Sequence, residues 1–250
     1  MQEITSVLNN KIKNIIKLKQ KKYREEQGLI LIEGYKIFLE AEKTNQKIVE
    51  IFATKKEFEK NNLSKYQNLL TLISDNVSEK LSFNQTSQNF FAVIKQPEKL
   101  NINGNFLILD NIQDPQNLGA IIRTSVACDC KKLYLINCVD EFNDKVVRAS
   151  MGNVFKVDCE HIGVNDLSKV CNNIPIFCAD MIGENVFDLK QKPATFGLIL
   201  GNEGNGVSAE VKSFATKTIK IPMQNDVESL NVAVSCGIIL YNLKFWFFVF

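Results

Sequence analysis

The chain of 250 residues is 45 % hydrophobic and 23 % charged, with a formal net charge of +2. That composition supplies core for one large or two modest domains without disulfide staples, and the charged fraction is near the globular average. Seven cysteines without framework spacing and the single histidine His161 argue against a zinc site, while reduced thiols, no secretory pattern and no run long enough to span a bilayer predict a cytoplasmic protein.

Residues 4 to 24 hold seven Lys or Arg and no acid. Leu8, Ile12, Ile15, Ile16 and Tyr23 fall near helical spacing, which predicts a basic amphipathic helix suited to an anionic partner or to a solvated face. Strand and helix patterns then alternate: GLILIEG (28 to 34), a helix over 35 to 45, IVEIFA (48 to 53), a charged helix, LLTLI (69 to 73), a helix capped by Ser74 or Asp75, and FFAVIK (90 to 95). The aromatics Tyr23, Tyr35 and Phe38 are expected in the core. QPEKLNINGN (96 to 105) carries Pro, Gly and Asn with little apolar content and reads as a linker. The expected organisation is a first domain over 1–96, a linker over 97–105 and a second domain over 106–250.

Beyond the linker come FLILD (106 to 110), a helix from about Leu118, KLYLIN (132 to 137), VFKVD (154 to 158), IPIFCAD (174 to 180), FGLIL (196 to 200), TIKIP (218 to 222) and a last helix from near Glu228. This rhythm predicts an α/β domain with a parallel sheet covered by helices.

Three segments carry the chemistry: LDNIQDPQNLGAIIRTS (109 to 125), LILGNEGNGVS (198 to 208) and IPMQNDVESLNVAVS (221 to 235). Each turns through Gly, Pro, Asn or Asp at the carboxyl end of an apolar strand, where open α/β sheets keep their sites. GNEGNG fits neither the dinucleotide fingerprint nor a P-loop, because its glycine spacing differs and Val207 stands where Lys would be needed. It is a tight strand-to-helix turn or an amide cradle for a ligand, and Glu203 is a carboxylate that a turn alone does not require. Arg123 sits among Ile121, Ile122, Val126 and Ala127, either as an exposed polar residue or as a fork for phosphate or carboxylate. Ser229 suits a helix N-cap, which leaves Asn231 among apolar neighbours without a structural reason. No His or Cys lies near enough to form a nucleophilic triad.

Together these loops resemble the three motifs of the SpoU/TrmH family of S-adenosylmethionine-dependent RNA ribose 2′-O-methyltransferases, of the SPOUT class. NLGAIIR matches the first motif, LGNEGNGV the second and IPMQNDVESLNVAVS the third. VVRASMGNVFKV (146 to 157) resembles a further family stretch of the same domain, and residues 17 to 41 resemble the start of the family's substrate-binding domain, similar to a ribosomal-protein RNA-binding fold. The aromatic end Phe245–Phe250 matches nothing in the family, and QNDVE (224 to 228) is acidic where the family often carries a basic residue.

The resemblance implies a trefoil-knotted methyltransferase domain working as a homodimer, with S-adenosylmethionine as cofactor and no metal. By position, Gly201, Ile221 and Leu230 would contact the methyl donor, and Asn117, Arg123, Glu203, Ser229 and Asn231 would form the catalytic and substrate set. The basic run (Lys17, Lys19, Lys21, Lys22, Arg24) would meet RNA phosphates, ribosomal RNA being expected ahead of transfer RNA. The alternatives are a non-catalytic RNA-binding or ribosome-assembly protein on the same fold, and a nicotinamide-dependent oxidoreductase.

Overall fold

The computed structural model describes residues 3–100, 102–190, 192–202, 204–224 and 227–245. Its elements in chain order are β1 (Glu3–Ile4), α1 (Asn10–Lys17), α2 (Lys21–Gln27), β2 (Leu29–Glu33), α3 (Tyr35–Lys43), β3 (Ile48–Ala53), α4 (Lys55–Asn61), β4 (Leu70–Ile73), α5 (Asp75–Leu81) and β5 (Phe90–Lys95). There follow β6 (Phe106–Asp110), α6 (Pro115–Ala127), β7 (Lys132–Ile136), α7 (Asp144–Ala149), β8 (Asp158–His161), α8 (Leu167–Val170), β9 (Ile176–Asn185), β10 (Gly197–Leu200), α9 (Ala209–Lys212), β11 (Lys217–Lys220) and α10 (Val232–Lys244). The contacts divide the chain into two compact units: Met1–Glu98 with Phe142–Phe155, and Lys99–Glu141 with Lys156–Phe250. The stretch 142–155, which the sequence reading put in the second domain, thus groups with the first.

The first unit is a five-stranded sheet in the order β1-β4-β3-β5-β2, with β5 antiparallel to β2 and β3 and the remaining pairs parallel. One cluster of its core joins Ile12 and Ile15 of α1, Leu18, and Val77 and Leu81 of α5 to Leu31, Phe52, Phe91 and Val93 from the strands. Phe38 is fully buried and packs edge-on or tilted against Tyr66 and Phe90, so it is core as expected, while Tyr23 and Tyr35 are half-buried. The basic run forms two helices, not one. The chain is extended at Gln20 (φ −100°, ψ 135°), and α2 ends on the left-handed Gly28 (φ +62°), where glycine carries no steric penalty.

Glu33, buried at the end of β2, organises the 82–88 loop. Its carboxylate accepts from Ser82 Oγ (2.8 Å), the amides of Phe83 and Gln88 (2.9 Å each) and Asn84 Nδ2 (3.1 Å). Such multiple donation is what makes a buried carboxylate tolerable. From α7, Arg148 donates to Asn84 Oδ1 and to Asp144 Oδ2, which fastens the later stretch of chain to this loop. The apolar run 154 to 158 was expected as a strand. Left-handed Met151 and Gly152 instead turn the chain after α7, Asn153–Lys156 forms a 3-10 turn that buries Val154 and Phe155, and the strand begins only at Asp158.

The second unit is a six-stranded sheet in the order β11-β9-β10-β6-β7-β8, with every pairing parallel. Phe106, Ile108, Ile136, Ile176, Cys178 and Ile199 pack with Leu167 and Val211 in one cluster of its core. α10 packs on α6, with Gly237 facing Thr124. Lys192 Nζ donates to both the carbonyl and the side-chain oxygen of Asn242 (2.7 Å each), tying the segment before β10 to the end of α10. Among the described residues no helix is long and apolar enough to cross a membrane.

Candidate active site

The loops after β6, β10 and β11 all leave the carboxyl ends of parallel strands, as expected of a ligand-binding edge. After β6, Asp114 caps α6 by accepting from the amide of Gln116 (2.9 Å), with Pro115 in the first helical position. The helix therefore starts three residues earlier than expected and carries Asn117 in its first turn, buried at 8 % exposure. Six residues on, roughly 120° around the axis, Arg123 is exposed while Ile121 and Ile122 are fully buried.

The turn after β10 is a closed backbone loop. Asn202 bridges to Gly206, its Oδ1 accepts from the amide of Gly204 (2.9 Å), and its Nδ2 reaches across to the carbonyl of Asn111 in the first loop (3.1 Å). The buried carboxylate of Asp110 accepts from the amide of Ser208 (2.7 Å) and ties down the far end. A Cβ on Gly201 would lie 2.3 Å from the carbonyl of Gly206, so only glycine permits this crossing. Glu203 lies outside the described residues, as does the tail 246–250.

The third loop runs into α10, which begins at Val232 and not near Glu228. Its N-cap is Asn231, whose Oδ1 accepts from the amides of Ala233 (3.0 Å) and Val234 (3.3 Å). The cap role that sequence had offered to Ser229 belongs to Asn231, and Ser229 stands exposed before it. Asn231 Nδ2 donates to Asn117 Oδ1 (2.9 Å), which joins the first and third motifs through two side-chain amides.

Between the second and third loops lies a cavity of about 550 Å³. Gly201, Ile221 and Leu230 line it, as do Ser229, Asn202 and the backbone of Gly204–Gly206. The structure thus gathers the residues expected to hold a donor around one cavity of small-molecule size. Asn117 and Arg123 are not part of its lining. Apolar walls formed by Leu200, Ile219, Ile221, Leu230 and Ile239, beside a strip of glycine backbone, suit an adenosine-type ligand that needs both a stacking surface and main-chain hydrogen bonds. Sequence reading missed the contribution of β9: Asp180, Met181 and Ile182 also line the cavity. The signal was present, because IPIFCAD ends on a carboxylate at the same edge of the sheet.

Two of the five basic residues proposed for RNA are engaged within the first unit. Arg24 is buried at 7 % exposure, and its Nη1 donates to the carbonyls of Leu18 (3.0 Å) and Lys19 (3.1 Å), closing the end of α1. It is a helix-terminating residue and is not available to a phosphate. Lys19 donates to the carbonyls of Lys80 (3.2 Å) and Ser82 (2.6 Å) and lies over the Phe83 ring, and burial lowers its pKa. Lys17, Lys21 and Lys22 are exposed.

Residues 104–241 match the SpoU rRNA Methylase family, and residues 9–92 match the MRM3-like substrate binding domain. The chain belongs to the SpoU rRNA methylase family. Among relatives of this SpoU chain, the 23S rRNA (guanosine(2553)-2′-O)-methyltransferase RlmP of Bacillus subtilis is 31 % identical over 98 % of this chain and 100 % of its own. The mitochondrial rRNA methyltransferase 3 of Mus musculus is 25 % identical over 91 % of this chain and 70 % of its own. The AdoMet-bound rRNA methyltransferase of Sinorhizobium meliloti superposes with a TM-score of 0.84 at 25 % identity, covering 97 % of each chain. A TrmH-family protein of Porphyromonas gingivalis superposes with a TM-score of 0.83 at 27 % identity, covering 96 % of this chain and 98 % of its own.

Proposed function

We propose that this SpoU-family protein transfers a methyl group from S-adenosylmethionine to a ribose 2′-hydroxyl of ribosomal RNA. The observation that carries the reading is the joint between motifs: a cavity of about 550 Å³ bounded by the second and third loops, with Asn231, between the lining residues Leu230 and Val232, bonded to Asn117 on the helix that presents Arg123. The full-length relation to RlmP supports ribosomal RNA as substrate, and with it residence in the cytoplasm.

Gly201, Ile221 and Leu230 hold the donor, largely through backbone. The donor supplies a methyl carbon already activated on a sulfonium, so the protein's work is alignment and electrostatics. Arginine keeps its proton in proteins. Arg123 therefore acts by gripping the substrate phosphate and stabilising the developing alkoxide, while the 2′-hydroxyl proton leaves to solvent as its oxygen takes the methyl group. Asn117 and Asn231 fix the first turn of α6 against the start of α10, and Ser229 and Glu203 complete the substrate side. The first unit holds the RNA, with Lys17, Lys21 and Lys22 as its phosphate contacts.

The working unit is a homodimer. Val234 and Tyr241 on α10, each 51 % exposed, and its C-cap Phe245, 39 % exposed, recur at helical spacing and form an apolar stripe, for which a second copy is the fitting cover. The family's trefoil knot belongs to this reading; α10 packs back on α6, and Lys192 ties the segment before β10 to Asn242. Tyr241→Glu should yield a monomer by light scattering, and a dimer unchanged in stability would exclude this face. Arg123→Ala tests the mechanism. Methylation should fall by about 100-fold or more while calorimetry still shows donor binding, because the lost interaction belongs to the transition state. Near-normal turnover would remove Arg123 from the reaction.

A further inference from the structure

Among the described residues lining the donor cavity, one charged side chain stands among apolar groups, amides, hydroxyls and glycine backbone, and the mechanism above does not use it. It is Asp180, on β9 just beyond the buried stretch Ile176–Cys178. β9 lies between β10 and β11 in the sheet, so this part of the strand faces the space that the turn after β10 and the loop after β11 enclose.

The carboxylate is held from two sides. Lys212 Nζ, at the end of α9, lies 2.6 Å from Oδ2, and the amide of Ile182 donates to Oδ1 (2.9 Å). A quarter of the side chain stays accessible. Burial works against its charge, but the hydrogen bond from Lys212 and those from the amides of Ile182 and Met181 together hold the carboxyl below the usual aspartate range. A carboxylate offers about four lone-pair sites, and the donors from Lys212, Ile182 and Met181 leave about one, which two adjacent hydroxyls can share.

We propose that Asp180 is a donor-binding residue whose carboxylate accepts hydrogen bonds from the two ribose hydroxyls of S-adenosylmethionine, a proposal that rests on the donor reading of this cavity. The choice of hydroxyls follows from Lys212. With its charge balanced at 2.6 Å, Asp180 brings acceptor atoms to the cavity and little net field. A neutral diol needs acceptors, whereas an ammonium or sulfonium would call for uncompensated charge. The two oxygens of one carboxylate also match two adjacent hydroxyls in spacing, and hydrogen bonds to ionised acceptors are the strong ones.

The test is calorimetry on the full chain with S-adenosylmethionine, S-adenosylhomocysteine and 5′-methylthioadenosine, the last of which keeps the nucleoside and lacks the amino-acid end. Asp180→Asn should weaken all three by about ten-fold or more, while Lys212→Met, which spares the carboxylate, should change them by less than about three-fold. A loss confined to S-adenosylmethionine and S-adenosylhomocysteine would place the carboxylate at the amino-acid end and overturn the proposal. So would an equal loss in Lys212→Met, since the pair would then merely position α9 and the glycine turn, and so would unchanged affinities throughout. A 2′,3′-dideoxy analogue of methylthioadenosine tests the unaltered protein, with no demand on the fold of a variant. It should bind about ten-fold or more weaker than its parent, and equal binding would refute the contact. If the unaltered protein binds none of the three ligands, the donor reading of the cavity itself fails, an outcome distinct from any of these.

Discussion

Replacing Asn231 by alanine removes two functions at once. The first is the cap: Oδ1 accepts from Ala233 and Val234, and losing such a cap typically costs about 1 kcal/mol. The second is the donor to Asn117 Oδ1, a group at 8 % exposure, and withdrawing a partner from a buried polar atom costs about 1–3 kcal/mol. The expected destabilisation is therefore about 2–4 kcal/mol, or a drop in Tm of roughly 5–15 °C for a chain of this size. Asn231→Asp keeps a capping oxygen but lacks the N–H that reaches Asn117, so it should recover the cap and lose the rest. Thermal melts at fixed protein and donor concentration would read both variants on one scale. A Tm for Asn231→Ala within about 2 °C of the parent, or two variants of equal stability, would refute the account of this joint.

Other outcomes follow from the basic helices and the thiols. Neutralising Lys17, Lys21 and Lys22 together should flatten the dependence of log RNA affinity on log salt by about two to three units and leave the Tm unchanged. Arg24→Met should do the reverse, lowering the Tm because Leu18 and Lys19 lose a buried donor while the salt slope stays within about one unit. Burial raises the thiols of Cys128, Cys138 and Cys178 to about 11 and that of Cys130 to about 12. Unfolded thiols lose their protons near pH 8.5, so stability should be flat below about that pH and decline as pH rises toward 11. Denaturant titrations across pH 7–11 would show this, and constant stability would contradict the burial of these thiols.

The strands β6, β7 and β10 of the second unit were legible because each is a short, mostly apolar run bounded by turn residues, as buried parallel strands must be, whereas the edge strand β8 (Asp158–His161) is polar and was not. The three loops were legible for the same reason: Gly201, Asn117 and the Ile221–Leu230 stretch follow directly from where those strands stop. The run over 154–158 looked equally apolar, yet Val154 and Phe155 are buried without a strand partner, a matter of long-range packing that local pattern does not record. Asn231 and Ser229 compete for one cap two residues apart, a margin within which helix starts are poorly marked. Arg24 and Lys19 read as a basic face because sequence counts charges and does not reveal the carbonyls of Leu18, Lys80 and Ser82 that occupy them. Asp180 was read as the end of a strand, and its cavity became visible only when β9 was placed between β10 and β11.

The first unit is assembled from two stretches of chain, and that makes its completion a matter of timing. At about 5–20 residues per second, the ribosome delivers Phe155 roughly 3–11 s after Glu98. During that interval Asn84 waits for Arg148, and the surface that α7 and the turn at Gly152 will cover stays open on the nascent chain. A fragment cut at the linker would share that unfinished state permanently. An exchange of substrate-binding units between relatives would transplant a whole unit only if residues 142–155 travelled with it.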